Sequence, residues 1–337
     1  MLDKIRVELE SVVENWRGKS VVVLGDMILD EFIYGVTDRV SREAPVVIVR
    51  YDSSAYVPGG AANAVRNLSS LGGSGVPVGF VGGDDPGRTL LGILREDGTK
   101  TDGLHIFEER LTTNKIRVMA GDHHAQRQQM VRIDKEQHRP ISGDEEKRII
   151  SNFERELPSA EAVILSDYGQ GLFTERVIAR AIRSCRDAGV PVIADSRFML
   201  TSFKGVTAAT PNEVEAAAAA GVPPVEGAEL ERIGRKLLKR LSSDSLLVTR
   251  GKFGMSLFER RRKTRSIGVI GSSEATDVTG AGDTVVSVVA LTLAAGGTME
   301  MAMHLANIAA SIVVMKRGTA VATVPELLDV IGKLGRR

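Results

Sequence analysis

The sequence predicts an α/β protein with a mainly parallel sheet, covered by helices on both faces and flanked by a small β lid. Three observations carry this. Short apolar runs such as Val21-Val22-Val23-Leu24, Ala162-Val163-Ile164-Leu165 and Leu246-Leu247-Val248-Thr249 lack the alternation of a half-exposed strand, as strands buried on both faces do. Segments of helical spacing separate many of these runs, the repeating order that builds parallel sheets. Two stretches, 31–58 and about 104–133, are instead β-branched and aromatic with turn formers between, which argues against long helices there.

Taken in order, Ile5, Leu9, Val12 and Val13 give residues 1–16 a short helix before the strand at 21–24. Gly25 and Asp26 follow directly, at the strand end where open α/β sheets present ligand groups. Segments 32–35 and 45–49 read as lid strands, and Pro58-Gly59-Gly60 breaks the chain before a helix at 61–71. A strand at 76–81 and a helix at 87–96 come next, then strands or hairpin arms in 104–119 and 129–133 joined by a polar connection. Beyond 143 the alternation is regular: helix 143–156, strand 162–165, helix 173–187, strand 190–194 and a helix at 213–220 opened by Thr210-Pro211-Asn212. A helix at 227–241, strands at 246–249 and 255–258, and helices at 280–293, 299–310 and 325–331 complete the pattern.

Composition excludes several functions. The 337 residues carry 44 Lys and Arg against 43 Asp and Glu, a net charge of +1 that gives no pull toward nucleic acid or an anionic membrane. The densest basic run, Arg260-Arg261-Arg262-Lys263 with Arg265, reads as a solvated turn between strands. Cys185 has no partner for an intrachain disulfide and sits as filler on an amphipathic helix. No segment reaches the roughly 20 apolar residues of a membrane span. Asp3, Glu8, Glu10 and Glu14 argue against a signal peptide, so a cytoplasmic protein is expected. Asp122-His123-His124 lacks the spaced set of ligands a transition metal needs and reads as a polar lid turn. His304 lies in an apolar helical stretch as a packing residue.

The chemical signal is Gly280-Ala281-Gly282-Asp283 ahead of the apolar run 284–293. Two glycines permit a tight backbone, and the unpaired N–H groups of a helix start can face a phosphate. Asp283 can then take the proton of an acceptor hydroxyl or hold that hydroxyl for in-line attack. On these residues alone, a capped glycine turn remains the alternative. There is no Walker A motif, which excludes a P-loop enzyme.

Asp277-Val278-Thr279-Gly280-Ala281-Gly282-Asp283-Thr284 closely resembles the C-terminal signature of ribokinase-like (PfkB) carbohydrate kinases. Pro58-Gly59-Gly60-Ala61-Ala62-Asn63 resembles their N-terminal signature, and Asn212-Glu213-Val214-Glu215 their Asn-x-x-Glu element. The resemblance spans roughly 20–330. It implies a ribokinase-like three-layer α/β/α sandwich: one kinase domain over 1–337 with a discontinuous lid from about 31–58 and 104–133. It also implies Asp283 as general base and the amides of Gly280, Ala281 and Gly282 as an anion hole. ATP would be co-substrate with Mg²⁺ organised by Asn212 and Glu215, partly through water; Thr249, Gly251, Gly254 and Asn307 would line the nucleotide site. Asp277, Thr279 and Gly318 would hold K⁺.

A narrower resemblance runs through Gly25-Asp26-Met27-Ile28-Leu29-Asp30, Tyr34-Gly35, Arg39-Val40-Ser41, Glu43-Ala44-Pro45-Val46, Thr113-Asn114-Lys115-Ile116-Arg117 and Leu165-Ser166-Asp167-Tyr168. These look like bacterial D-glycero-D-manno-heptose 7-phosphate kinases. That implies phosphorylation of the anomeric hydroxyl to give heptose 1,7-bisphosphate for surface-glycan synthesis. Asp26, Asp30, Gly59, Gly60 and Asn63 would bind the sugar. Among Arg42, Lys115, Arg117 and Arg127, Arg117 is the preferred contact for the acceptor's phosphate because it closes the matching Thr113-Asn114-Lys115-Ile116-Arg117 stretch. After Asp195, Ser196-Arg197-Phe198 depart from the expected Asp-Pro-Lys-Gly-like pattern, which tunes nucleotide-side packing or signals a different phosphosugar. A homodimer through the lids is expected, with a separate phosphatase and nucleotidyltransferase in the pathway. The alternatives are a kinase for another sugar phosphate, sugar or nucleoside, and a catalytically weak ligand-binding regulator.

Overall fold

The computed structural model describes residues 2–121, 127–223, 228–270 and 275–334; the expected His123-His124 turn lies outside these. β1 (Ser20–Gly25) lies inside the main sheet, parallel to β4 (Ser74–Gly82) on one side and β8 (Ala162–Asp167) on the other. Beyond β4 lies β5 (Leu104–Phe107). Beyond β8 come β9 (Val192–Ser196), β10 (Ala208–Ala209), β11 (Ser245–Thr249), β12 (Met255–Glu259) and β13 (Arg265–Ile267). β12 pairs antiparallel with both β11 and β13; the other neighbours are parallel.

The uninterrupted apolar runs have a plain cause. Successive strand residues point to opposite faces, and both faces are covered. Val21 and Val23 of β1 enter one core, Val22 and Leu24 the other. The first core is closed by α1 (Leu2–Glu14), α2 (Ala61–Ser70), α3 (Asp85–Glu96), α8 (Ala281–Ala294), α9 (Met299–Val313) and α10 (Val324–Gly332). The second is closed by α4 (Gly143–Glu156), α5 (Glu175–Ala188), α6 (Glu213–Ala220) and α7 (Ala228–Leu241). Cys185 on α5 is buried in the second core, where burial pushes its thiol up to about 12. No described helix is long and apolar enough to cross a membrane.

The second sheet contains β2 (Met27–Val40), β3 (Val47–Gly60), β6 (Thr113–Gly121) and β7 (Gln128–Lys135), in the order β3-β2-β6-β7. One expectation is corrected here. Residues 104–107, expected in the lid, pair in parallel with β4 and extend the main sheet, with Phe107 buried in the second core against Phe80. The lid strands also start earlier, because β2 begins two residues after β1 ends. Asp26 is the single residue between β1 and β2 and so stands at the seam of the two sheets. The basic run 260–263 forms the turn between β12 and β13, as expected.

Candidate active site

Gly280 caps α8 at φ +79°, and a Cβ there would stand 2.7 Å from Asn63 Nδ2, so only glycine fits. The N–H of Ala281 closes a 3.3 Å bond onto the Val278 carbonyl. Those of Gly282 and Asp283, in the first helical turn, have no intrahelical acceptor. Gly282 is exposed, so its amide is open to an incoming anion.

One turn into this helix start, Asp283 is 2% exposed. Its Oδ2 accepts from Asn63 Nδ2 at 2.7 Å and its Oδ1 from the Tyr168 hydroxyl at 2.7 Å. Three elements therefore fix one carboxylate: the start of α8, the first turn of α2 and the loop after β8. Burial pushes the carboxyl up to about 6, against the opposing pull of these two donors and the charge of Arg197. A carboxylate aimed by two donors and titrating near neutrality suits a general base.

The acceptor side lies at the seam of the sheets. Asp26 Oδ2 accepts from the backbone N–H of Tyr168 at 2.8 Å and of Gln170 at 3.2 Å. Its Oδ1 is buried without a described donor, an orphan acceptor suited to a sugar hydroxyl. Burial first, then the charge of Asp167, push Asp26 up to about 7. On β2, Asp30 accepts from Arg117 Nη1 at 2.6 Å and from Thr319 Oγ1 at 3.4 Å. A Cβ on Gly59 would come within 2.6 Å of Asp30 Oδ2, and one on Gly60 within 2.8 Å of the Asp26 carbonyl. Asp26, Asp30, Gly59 and Gly60 form one group and Asn63 and Asp283 another, and Tyr168 joins them through its backbone N–H on Asp26 and its hydroxyl on Asp283.

Arg117 is not the free cation the sequence suggested, because Asp30 engages it and its guanidinium lies 5.3 Å over the Phe32 ring. Arg127 pairs with Asp52 at 2.6 Å. Lys115 and Arg197 differ: neither has an ion-pair or side-chain hydrogen-bond partner among the described residues. Both lie over the Tyr168 ring, at 5.4 Å and 4.6 Å from its centroid. Ser196 replaces the expected proline with a hydroxyl that donates to Asp167 Oδ2 at 2.5 Å and accepts from the Met199 N–H.

On the far side of Asp283, Asn212 and Glu215 cap α6 reciprocally. Asn212 Oδ1 accepts from Glu215 N, and Glu215 Oε2 from Asn212 N, each at 2.9 Å. No described residue donates to Glu215 Oε1. Burial pushes Glu215 upward; burial, then Glu215 and Asp283, push Asp195 up to about 8. A buried acid whose carboxyl is pushed up by neighbouring carboxylates fits a hard divalent cation. Among the described residues, no three acidic, imidazole or thiol side chains converge to hold a metal unaided, so the protein offers part of a coordination shell.

Thr249 ends β11 and bridges to Asn212, while Gly251 and Gly254 shape the turn into β12. Asn307 Nδ2 donates to the Gly268 carbonyl at 2.7 Å, so its amide braces this wall instead of reaching out from it. Asp277 draws two loops together, accepting from Thr279 N at 2.9 Å and Gly318 N at 3.0 Å. Sequence reasoning missed the roles of Tyr168, Asp195 and Thr319. The first two stand at the C-terminal ends of β8 and β9, where ligand groups are expected, and could have been flagged on that ground. Thr319 carries no comparable signal.

Residues 19–327 match the profile of the pfkB family carbohydrate kinase. Bifunctional protein HldE of Desulfatibacillum aliphaticivorans is 40% identical over 308 residues, covering 91% of this chain and 62% of that protein. Its counterpart in Caulobacter vibrioides is 39% identical over 312 residues, with coverage of 92% and 63%. The chain thus spans less than two thirds of the length of these relatives. Among solved structures, Arabidopsis thaliana ribokinase complexed with ribose and ATP superposes at a TM-score of 0.72 and 21% identity, over 93% of this chain and 99% of that one. Escherichia coli phosphofructokinase-2 in complex with potassium gives 0.74 and 17%, over 95% and 100%. Both likenesses identify the fold as ribokinase-like. The profile match over most of the chain and the relatives at this level of identity make the assignment: the chain belongs to the pfkB family of carbohydrate kinases and is a sugar kinase.

Proposed function

We propose that this kinase transfers the γ-phosphate of ATP to the anomeric hydroxyl of D-glycero-D-manno-heptose 7-phosphate, giving heptose 1,7-bisphosphate and ADP. The observation that carries phosphoryl transfer is the buried carboxylate of Asp283, fixed by Asn63 and Tyr168 beside the open amide of Gly282. The heptose assignment rests on the lid and strand-end motifs, above all Thr113–Arg117 in sequence and the Asp26–Asp30 segment.

Asp283 takes the proton of the acceptor hydroxyl as that oxygen attacks the γ-phosphorus. The orphan Oδ1 of Asp26 accepts from a second sugar hydroxyl, and Asp30, fixed by Arg117, shapes the same pocket. The amide of Gly282 faces the transferring phosphate. Mg²⁺ bound with ATP would neutralise phosphate charge, and Glu215 and Asp195 would hold it partly through water. Asp277, with the loops of Thr279 and Gly318, would hold K⁺ beside the glycine turn. The small sheet acts as the lid, and its exposed Tyr56, Val131 and Ile133 suit a homodimer contact.

A coupled ADP-release screen with heptose 7-phosphate, fructose 6-phosphate, ribose and nucleosides tests the reading. Preferred turnover of heptose 7-phosphate is expected with Mg²⁺ and ATP. Turnover of another acceptor alone would reassign the substrate, and none with any would remove the catalytic claim.

A further inference from the structure

Among the described residues, two cations at the centre of this site have no ion-pair partner. Lys115 comes from β6 of the small sheet, and Arg197 from the loop after β9 of the main sheet. Their charged groups approach one aromatic ring, that of Tyr168, at 5.4 Å and 4.6 Å from its centroid. The hydroxyl of the same ring is bonded to Asp283. Other arginines around the site are already engaged: Arg117 by Asp30, Arg110 by Glu145 and Arg250 by Glu213.

Two like charges drawn together from different sheets repel, and the tyrosine face offsets that only in part. Burial first and then Arg197 push the Lys115 ammonium down, and Asp30 and Asp134, neither within ion-pair distance, offset this only in part. What resolves such a pair is an anion with several oxygens. Location says which one. Arg197 stands two residues beyond Asp195 at the donor side, and the Tyr168 ring that it shares with Lys115 carries the hydroxyl bonded to Asp283 at the acceptor side. The group that passes between those two sides is the one in transfer.

We propose that Lys115 and Arg197 form a two-sided clamp on the transferring phosphoryl group, one cation from each sheet, with the Tyr168 ring as the shared platform that sets them beside Asp283. This rests on the kinase reading above. In the step, the acceptor O–H gives its proton to Asp283 and its oxygen bonds to the γ-phosphorus. The bond from that phosphorus to the β–γ bridging oxygen breaks, and ADP leaves with the electron pair. Throughout, the phosphoryl group keeps its three outer oxygens, and the clamp neutralises them. Because Lys115 arrives with the small sheet, closure and charge neutralisation become one event.

The test uses K115Q and R197Q in the full chain, with K115R and R197K as conservative controls. ADP binding with Mg²⁺ is measured by calorimetry with and without aluminium fluoride, which mimics the phosphoryl group in transfer; no acceptor is present. The unsubstituted protein is expected to bind ADP more tightly with the fluoride. Each glutamine variant is expected to lose about 10²-fold of that tightening, in line with the loss of one oxyanion donor. Its affinity for ADP alone should stay unchanged, which also reports that it is folded, and the conservative variants should recover much of the effect. Full tightening in either glutamine variant, or none in the unsubstituted protein, overturns the clamp. Turnover separates the alternative source of phosphate oxygens. A fall in kcat with little change in acceptor KM supports the clamp. A rise in KM for a phosphorylated acceptor at constant kcat assigns the cations to the acceptor's own phosphate and overturns it. Failure of the unsubstituted protein to turn over heptose 7-phosphate counts against the substrate assignment alone, since the fluoride measurement contains no sugar.

Discussion

Replacing Tyr168 with Phe removes one hydroxyl from Asp283, the proposed base. That hydroxyl donates to Asp283 Oδ1 at 2.7 Å, while Asn63 keeps the other oxygen. A hydrogen bond to a charged group is worth about 1.5–3 kcal/mol. At about 1.4 kcal/mol per pH unit, its loss should carry the Asp283 carboxyl up by about one to two pH units. The starting point is about 6. At pH 7 the deprotonated fraction then falls from about nine tenths to between about one half and one tenth, lowering kcat/KM by about 2- to 10-fold. At pH 9 the loss should largely vanish. Tyr168 itself does not confuse the profile, because burial and then the Asp283 charge push its phenol further up. Asp26, at about 7, and Asp195, at about 8, titrate in the same window. The diagnostic is therefore the displacement of the acidic limb between the two proteins. Coupled ADP release from pH 5 to 9.5 measures it. An unmoved limb, or a loss equal at every pH, would refute the reasoning.

Asp283→Asn should cut turnover by about 10²–10⁴-fold while ADP binding persists, measured by coupled assay and calorimetry. The same variant tests linkage. A carboxyl raised from 3.8 to about 6 by folding contributes stability below 3.8 that is lost as pH rises through 6. The asparagine variant should therefore gain up to about 3 kcal/mol over the parent at pH 8 relative to pH 3.5, read by urea unfolding; a pH-independent difference contradicts this. Gly280→Ala puts a Cβ 2.7 Å from Asn63 Nδ2 at φ +79°. It should cost about 1–3 kcal/mol and lower kcat, and an unchanged kcat would detach the glycine from the base. Arg110, 1% exposed, bonds both oxygens of Glu145 at 2.7 and 2.9 Å and the carbonyls of Arg139 and Pro140. Arg110→Ala should cost about 3–5 kcal/mol in urea unfolding at pH 7. Arg110 holds Glu145 down to about 2, so the parent's extra stability is present above 4.5 and fades as pH falls toward 2; the variant should lack that decline.

The main sheet was legible because strands buried on both faces carry uninterrupted apolar runs, as 21–24 of β1, 162–165 of β8 and 246–248 of β11 do. The segment 104–107 was misread because its four residues suit a hairpin arm as well as a sheet edge; only the partner β4 decides. In the site, Asp283 stood out because its glycine turn is a local pattern. The fate of Arg117 did not, because it depends on register. In the ladder Asp30 lies opposite Lys115 and Phe32 opposite Arg117, yet the long guanidinium reaches diagonally back to Asp30. The sequence therefore showed that lid cations exist but not which one an acidic neighbour takes. Asn212 and Glu215 were legible as a pair, and their first task is the reciprocal cap that their three-residue spacing dictates.

Phosphorus NMR of the product is the most direct measurement. The protein is incubated with heptose 7-phosphate, ATP and Mg²⁺. The expected result is a new phosphate ester whose phosphorus couples to the anomeric proton, with the 7-phosphate retained and one ADP formed per ester. No new ester, or one whose phosphorus couples to any other position of the sugar, would contradict the proposed reaction.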